Sequence, residues 1–475
     1  MTPRSLHSSP LGRGGALLIG GVALLSGCAS LSPDGGFAPV QRTAQQHLNK
    51  ELQWARSDDD QQRIDRRVAE LLAKPLTADD AVQLALLNNR GLQASYFELG
   101  IGEAELVQAA RLPNPGFTFA RLKGGDGTEI DRRFDFNLAR LIALPTIRRL
   151  EAARFAQSQA TVAAAVLGLA ADTRRAWVEA VAAEEAVRYS ALVMQSAEAS
   201  AELARRMAQV GNYNKLQRSR EEGFYADAAL NVARAQQRQH AARERLTRLL
   251  GLWGEQTAFQ LPERLPDLPA APLDLPDAER TAIAQRLDVQ AARAATEETA
   301  RNLGLTQATR FVNVLEVGWQ NNGFSQQPPQ RGWEVSLELP LFDWGDARVA
   351  RAQSVYMQAL QRAAQTAIDA RSEVREAYGA YRSAWDIARH HRDEIVPLRR
   401  RIAEENLQRY NGMLIGVFEL LADARAQIAS VDNAIAALRD FWLAQADLDA
   451  ALVGKPVLAM PAKPFAAGEP GGAAH

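Results

Sequence analysis

From Leu76 onward the chain states one plan twice, and the restatement keeps its spacing. RLPNPGFTF (111–119) has a counterpart in RFVNVLEVGW (310–319), and RRFDFNLARL (132–141) in RGWEVSLELP (331–340). RRLEAARFAQSQA (148–160) corresponds to ARVARAQSVYMQA (347–359), and RRMAQVGNY (205–213) to LQRYNGMLI (407–415). Arg111 to Arg310, Phe134 to Trp333 and Arg149 to Arg348 step by one interval, from which Gly211 to Gly412 departs by two residues. Chance does not hold a spacing over such a span. We read an internal duplication of about 200 residues, so any fold must serve the same unit twice.

Each copy reads helix, strand, loop, strand, very long helix, tight turn, long helix. The opening helices are expected over 77–110 and 277–309, the first begun by Thr77 and Asp80 in a capping-box spacing, the second at Pro276-Asp277. The long helices are expected over 146–209 and 346–411. Val162, Val166, Leu169, Thr173 and Ala176 recur at four-three spacing, as do Val374, Tyr378, Tyr381 and Trp385. A helix of ~65 residues extends about 95 Å, and such a stripe asks for partner helices, as in a coiled coil. Pro397 predicts a kink or a change of partner. After GNYN (211–214) and NGMLIG (411–416) the chain turns, and helices over 214–250 and 416–453 return alongside. LPERLPDLPAAPLDLP (261–276) is too rich in proline for helix. With 29–75 and 454–475 it is expected to be irregular structure midway along a rod.

Against this helical background WEVSLELPLFDWG (333–345) alternates apolar and polar residues with the period of a strand. Four such segments are expected, 112–122, 132–143, 311–322 and 331–342, joined in pairs by polar loops at 123–132 and 321–331. Their length, their alternation and the aromatic residues Phe117, Phe119, Phe134, Trp319, Trp333 and Phe342 suit transmembrane β-strands. Segment 311–322 is less regular, because Val312 and Val314 are out of phase with Leu315, Val317 and Trp319. Four strands do not close a barrel, and an open edge in lipid leaves backbone groups unpaired. Either the sheet packs on helices outside a membrane, or several chains share one barrel.

The N-terminus narrows the choice. Arg4 and Arg13 precede the apolar run ALLIGGVALL (16–25), too short to span a bilayer and suited to a secretory signal. It ends in Leu25-Ser26-Gly27-Cys28, which resembles the lipobox of bacterial lipoproteins, and in that class Cys28 is lipidated as the first mature residue. Ala29 after it suits sorting to the outer membrane. Cys28 is the only cysteine, so an internal disulfide or thiolate cluster is excluded. A formal net charge of −1 gives no footprint for nucleic acid. The expected division is a lipoprotein signal (1–27), an anchoring and equatorial segment (28–75), a first repeat (76–250), a Pro-rich linker (251–276), a second repeat (277–453) and a tail (454–475).

Lipobox, duplicated plan, LPLFDWGDARVARAQ (339–353) and LQRYNGMLIGVFELLADARAQ (407–427) together resemble the TolC family of outer membrane efflux ducts, above all its lipoprotein members. The resemblance spans essentially the whole mature chain. It implies a mixed α+β membrane protein and a homotrimer. Four strands per chain would form a twelve-stranded transmembrane β-barrel, continuous with a long α-helical coiled-coil barrel in the periplasm. It further implies a palmitoylated outer membrane lipoprotein, a periplasmic adaptor and an inner-membrane pump of the RND type as partners, transport without catalysis, and no cofactor.

The residues themselves agree that chemistry is absent. No HExxH, CxxC, GxSxG, Walker or dinucleotide motif occurs. His390 and His391 point to different sides of a helix and read as solvated surface, and GGDGTE (124–129) reads as a hairpin turn rather than a calcium loop. The acidic residues beyond the second tip carry more interest, because the family closes its periplasmic end with rings of carboxylates. Glu419 and Asp423 lie four apart on one helical face, and Arg220 and Glu221 face them from the first copy as candidate aperture residues. An ordinary solvated face accounts for the same pattern. Gly211, Tyr213, Tyr410, Gly412 and Gly416 are candidate turn and adaptor-docking positions. The rival readings are a periplasmic adaptor, which would have one hairpin and several soluble-barrel strands, and a lipid-anchored structural rod without a pore. The exported solute is not written in the sequence.

Overall fold

The computed structural model describes residues 30–124, 127–309, 315–325, 327–337 and 342–454. The leader, Cys28 and the tail beyond Gly454 lie outside the described residues, as do Asp126, Val312, Val314 and Glu338. The 29–75 segment, expected to be irregular, carries helices α1 (Ala38–Leu48) and α2 (Asp58–Leu72). The start of α2 is a complete capping box. Asp60 N–H donates to Ser57 Oγ at 3.2 Å, and Ser57 N–H donates to Asp60 Oδ2 at 3.0 Å. Ile64, Val68 and Leu71 then fall on its one buried face.

The next elements are α3 (Ala78–Asn88), α4 (Arg90–Ala110), β1 (Gly116–Gly124), β2 (Gly127–Asn137), α5 (Leu138–Gln209) and α6 (Lys215–Leu250). The same order follows with α7 (Ala278–Gln285), α8 (Leu287–Thr309), β3 (Leu315–Phe324), β4 (Gln327–Leu337), α9 (Asp346–His390), α10 (Val396–Asn411) and α11 (Val417–Val453). Each expected opening helix is therefore split, at Asn89 and at Arg286, where the backbone turns extended. The break frees side chains to cap the returning helix. Asn88 Nδ2 donates to the Leu250 and Gly251 carbonyls at 3.0 and 2.9 Å, and Asn89 Nδ2 to Leu249 at 3.0 Å. In the second half Arg286 Nη1 donates to the Ala451 carbonyl at 3.1 Å while its guanidinium pairs with Asp288 and Glu373. Carbonyls that a helix end leaves orphaned are satisfied from the break in both halves.

Pro397 has its expected effect through a π-helical turn, His391–Ile395, which separates α9 from α10. The extra residue absorbs the missing proline N–H and its steric demand. Helix α5 corrects an expectation. It starts at Leu138, not at 146, because Asn137 Oδ1 caps it by accepting from Arg140 N–H at 2.8 Å, and Pro145 lies inside it. The strand expected to run to 143 consequently ends at Asn137.

The described chain divides into two compact units. One comprises the segment up to Gly36, Glu98–Ser158 and Ala294–Leu360, and holds an antiparallel sheet of order β1-β2-β3-β4. The segments expected as long loops belong to the strands: β1 pairs with β2 up to Gly124 opposite Gly127. Strand β3 is described from Leu315, and Val312 and Val314, which are out of phase with it, lie outside the described residues.

The other unit comprises Phe37–Phe97, Gln159–Arg293 and the chain from Gln361. Its core joins α2 and α3 to the middle of α5 and the end of α6, through Ile64, Leu84, Trp177, Val181, Leu246 and Leu265. The four-three stripes face inward, with Val162, Val166, Thr173 and Ala176 buried on α5 and Val374, Tyr381 and Trp385 on α9. Residues 261–276 of the Pro-rich linker are non-helical, and they are held by aromatic side chains with a polar handle. Trp442 Nε1 donates to the Pro266 carbonyl at 3.0 Å and Trp385 Nε1 to Pro269 at 3.1 Å, while Leu273 N–H donates to the Tyr381 hydroxyl at 2.8 Å.

Candidate functional site

Register makes the sheet two-faced. Phe117, Phe134, Trp319 and Trp333 stand directly opposite one another, one from each strand, so all four share a face. The Phe117 and Phe134 rings lie 4.8 Å apart, and Phe134 and Trp319 lie 6.2 Å apart. Phe136, Val317 and Val335 form the next row of that face, and Phe119 stands in the row beyond the aromatic ladder. Trp333 is 76% exposed and Phe117 58%, an arrangement that water penalises.

The opposite face is mainly polar, with Leu122 and Phe324 beside Glu129 near the turns. It carries Thr118, Glu129, Asp131, Arg133, Asp135, Glu316, Gln320, Asn322, Glu334 and Ser336. Arg133 is shared between Asp135 at 3.4 Å and Glu334 at 3.3 Å across three strands. Among the described residues β1 and β4 are the edges of the sheet, each with a free row of backbone groups. No helix among the described residues is long and apolar enough to cross a membrane.

The two hairpin tips are built alike, with one substitution that the sequence hid. At the first, Gly211 takes φ +81°, Asn212 N–H donates to Met207 and Gly211 N–H to Ala208, the two bonds of a Schellman cap. At the second, Leu414 N–H donates to Arg409 and Met413 N–H to Tyr410. The left-handed residue there is Met413, at φ +61°, and Gly412 keeps φ −81°. Met413 and Leu414 stand out from the turn, as do Val210 and Leu216 at the first tip. Tyr410 is partly exposed, whereas Tyr213 is buried, and its phenol is pushed up by that burial with Glu221 and Tyr410 adding to it. Asn214 and Gln217 close a capping box at the start of α6, and Gly416 starts α11 with no side-chain cap.

Of the candidate aperture residues, Arg220 and Glu419 are exposed, and Asp423 accepts a hydrogen bond from Asn406 Nδ2 across its own hairpin. Glu221 has another environment. Its side chain is 2% exposed, and Oε2 accepts from Arg425 Nη2 and from Ser200 Oγ, both at 2.7 Å. Arg425 also lies 4.3 Å over the Phe224 ring. This cluster ties α6 to α11, one hairpin to the other. Nothing in the sequence pointed to Arg425, 204 residues from its partner. Further along, Tyr189 Oη donates to the Ile428 carbonyl at 3.1 Å, and Arg174 pairs with Asp449 at 3.3 Å. His390, the last residue of α9, pairs with Glu394 of the π turn that follows, and no group of three metal-binding side chains exists among the described residues.

No family model matches the chain, and no curated protein matches its sequence. Solved structures match its fold. The outer membrane channel CmeC of Campylobacter jejuni superposes with a TM-score of 0.68 at 16% identity, over 84% of this chain and 88% of that one. The open-state outer membrane channel MtrE of Neisseria gonorrhoeae gives 0.65 at 18%, over 82% and 89%. CusC, described for conformational changes accompanying folding and transmembrane channel formation, gives 0.66 at 17%, over 82% and 92%. At such identities the likeness is one of fold: long helices with a small antiparallel sheet, arranged as in these channels.

Proposed function

We propose that the chain is one subunit of the outer membrane exit duct of a tripartite efflux system, carrying solutes outward without catalysing a reaction. The observation that carries this reading is the sheet, with one aromatic face, one charged face and two unpaired edges. A soluble protein gains nothing from such a face bare to water, and lipid tolerates no free edge. Joining β4 of one chain to β1 of the next resolves both. Three copies then supply twelve strands around a lumen lined by Glu316, Gln320 and Glu334, with Trp333 and Phe117 against lipid. Internal duplication supplies each subunit with two hairpins of strands and two of helices.

In this reading Cys28 bears the acyl anchor in the outer membrane, and the helices extend into the periplasm. The tips at Gly211, Tyr213, Tyr410, Gly412 and Gly416 meet a periplasmic adaptor, with Met413, Leu414, Val210 and Leu216 as the apolar contacts. An inner-membrane pump of the RND type feeds the duct. Glu419 and Asp423 line its periplasmic aperture, with Arg220 beside them, and Glu221 holds the hairpins together below it. An adaptor or a poreless rod explains neither the two-faced sheet nor its open edges. Single-channel recording tests the proposal. The purified lipoprotein in planar bilayers should give discrete conductance steps, and an electrically silent protein that has inserted would refute it.

A further inference from the structure

Toward the hairpin turns, the aromatic face of the sheet changes character. In the row of Phe119, the ladder places Arg132, Asn321 and Arg331 opposite one another. One row further Arg121 stands opposite Ile130, and beyond it Lys123 opposite Thr128. With strands ~4.8 Å apart and same-face residues ~7 Å apart along each strand, these four cations lie within about 20 Å of one another. All four are exposed. No carboxylate shares their face among the described residues, because Glu129, Asp131, Asp135, Glu316 and Glu334 all alternate onto the other one. No ion pair reaches any of the four from within the described chain. On the other side of the aromatic ladder, the row of Phe136, Val317 and Val335 bears no charge.

We propose that Arg121, Lys123, Arg132 and Arg331 form a basic collar that binds the phosphate groups of outer-leaflet lipid. The proposal rests on the duct reading, in which this face meets the bilayer. A sheet built for water alone would intersperse its charges. Here every cation of this face sits at one end of an apolar band, the level at which long basic side chains reach from the hydrocarbon edge to headgroups. Guanidinium forks match phosphate oxygens two at a time, and three of the four residues are arginine. With three chains around a barrel the collar is continuous. The partner its chemistry fits is a phosphorylated glycolipid such as lipid A.

The test uses the full-length lipoprotein in vesicles of phosphatidylcholine with and without lipid A, reading by native mass spectrometry the lipid retained after extraction. Wild type should retain lipid A over phosphatidylcholine, and excess inorganic phosphate should not displace it. The variant Arg121→Gln/Lys123→Gln/Arg132→Gln/Arg331→Gln should insert normally and lose that retention roughly several hundredfold, at about fivefold for each charge removed. A control on the polar face, Glu129→Gln/Asp131→Asn, should retain lipid A as wild type does. Unchanged retention in the quadruple variant, or displacement by free phosphate, overturns the collar and leaves the duct standing. Wild type that inserts without preferring lipid A does the same. Wild type that inserts into neither vesicle overturns the duct, and the collar with it.

Discussion

Arg425→Gln is expected to loosen the two helical hairpins from each other near their tips. Arg425 supplies the only cationic partner of the Glu221 carboxylate among the described residues, at 2.7 Å, and Glu221 is 2% exposed. Breaking a fully buried ion pair by removing one partner costs about 3–5 kcal/mol. Two features lower that figure: Arg425 is itself 35% exposed, and Ser200 remains as a donor to the carboxylate. A local cost of about 2 kcal/mol is left, which corresponds to roughly thirtyfold in an opening equilibrium. Hydrogen exchange of the amides on either side of Gly211, from about Ala201 to Glu222, reads that equilibrium directly. In a Glu221→Gln background the same Arg425→Gln change should cost well under 1 kcal/mol, because the buried charge is gone. Equal acceleration in both backgrounds would refute the reasoning, since Arg425 would then act through its packing on Phe224.

Met413→Gly should steady the second tip by about 1 kcal/mol, because a left-handed φ suits glycine and strains methionine. Slower exchange of the 409–414 amides would show it, together with weaker capture by the adaptor if the exposed thioether is a contact. Burial pushes the Asp432 carboxyl up, Arg238 opposing only in part, and the neighbouring Tyr189 phenol rises to about 12. A carboxyl raised in the fold stabilises below its unfolded value and loses that contribution as pH rises through the folded one. Asp432→Asn should therefore gain melting temperature over the parent as pH goes from 4 toward 7, and a constant difference would contradict this. With Glu129, Asp131, Asp135, Glu316 and Glu334 opposed on the polar face by Arg133 alone among the described residues, the proposed duct should prefer cations. Glu316→Gln/Glu334→Gln should shift the reversal potential toward anions, and an unmoved potential would place selectivity elsewhere.

Long periodic elements were the most legible. The returning helices are expected over 214–250 and 416–453 and run Lys215–Leu250 and Val417–Val453, because a glycine-bearing turn fixes where each begins. Pro397 announces an irregularity, and the π turn that absorbs it has no signature of its own in the sequence. Strand ends were misplaced where local chemistry competes with alternation. Leu138, Leu141 and Ile142 continue the apolar count of β2, but Asn137 caps a helix in front of them. The helices within 29–75 depart from the irregular structure expected there, although Ser57 and Asp60 spell a capping box. The partition of the sheet into an aromatic and a charged face was readable from the strands singly. Their lateral order is set by pairing between distant segments, and so is the Glu221–Arg425 pair, which no local pattern encodes.

The claim on which the rest depends is that the sheet of one chain is one third of a barrel and is completed by two others. Native mass spectrometry of protein extracted in detergent from separated outer membranes measures that completion. A trimer of acylated chains is the predicted species. A monomer, or protein recovered only from the soluble periplasmic fraction, would place the sheet outside the membrane and contradict the account.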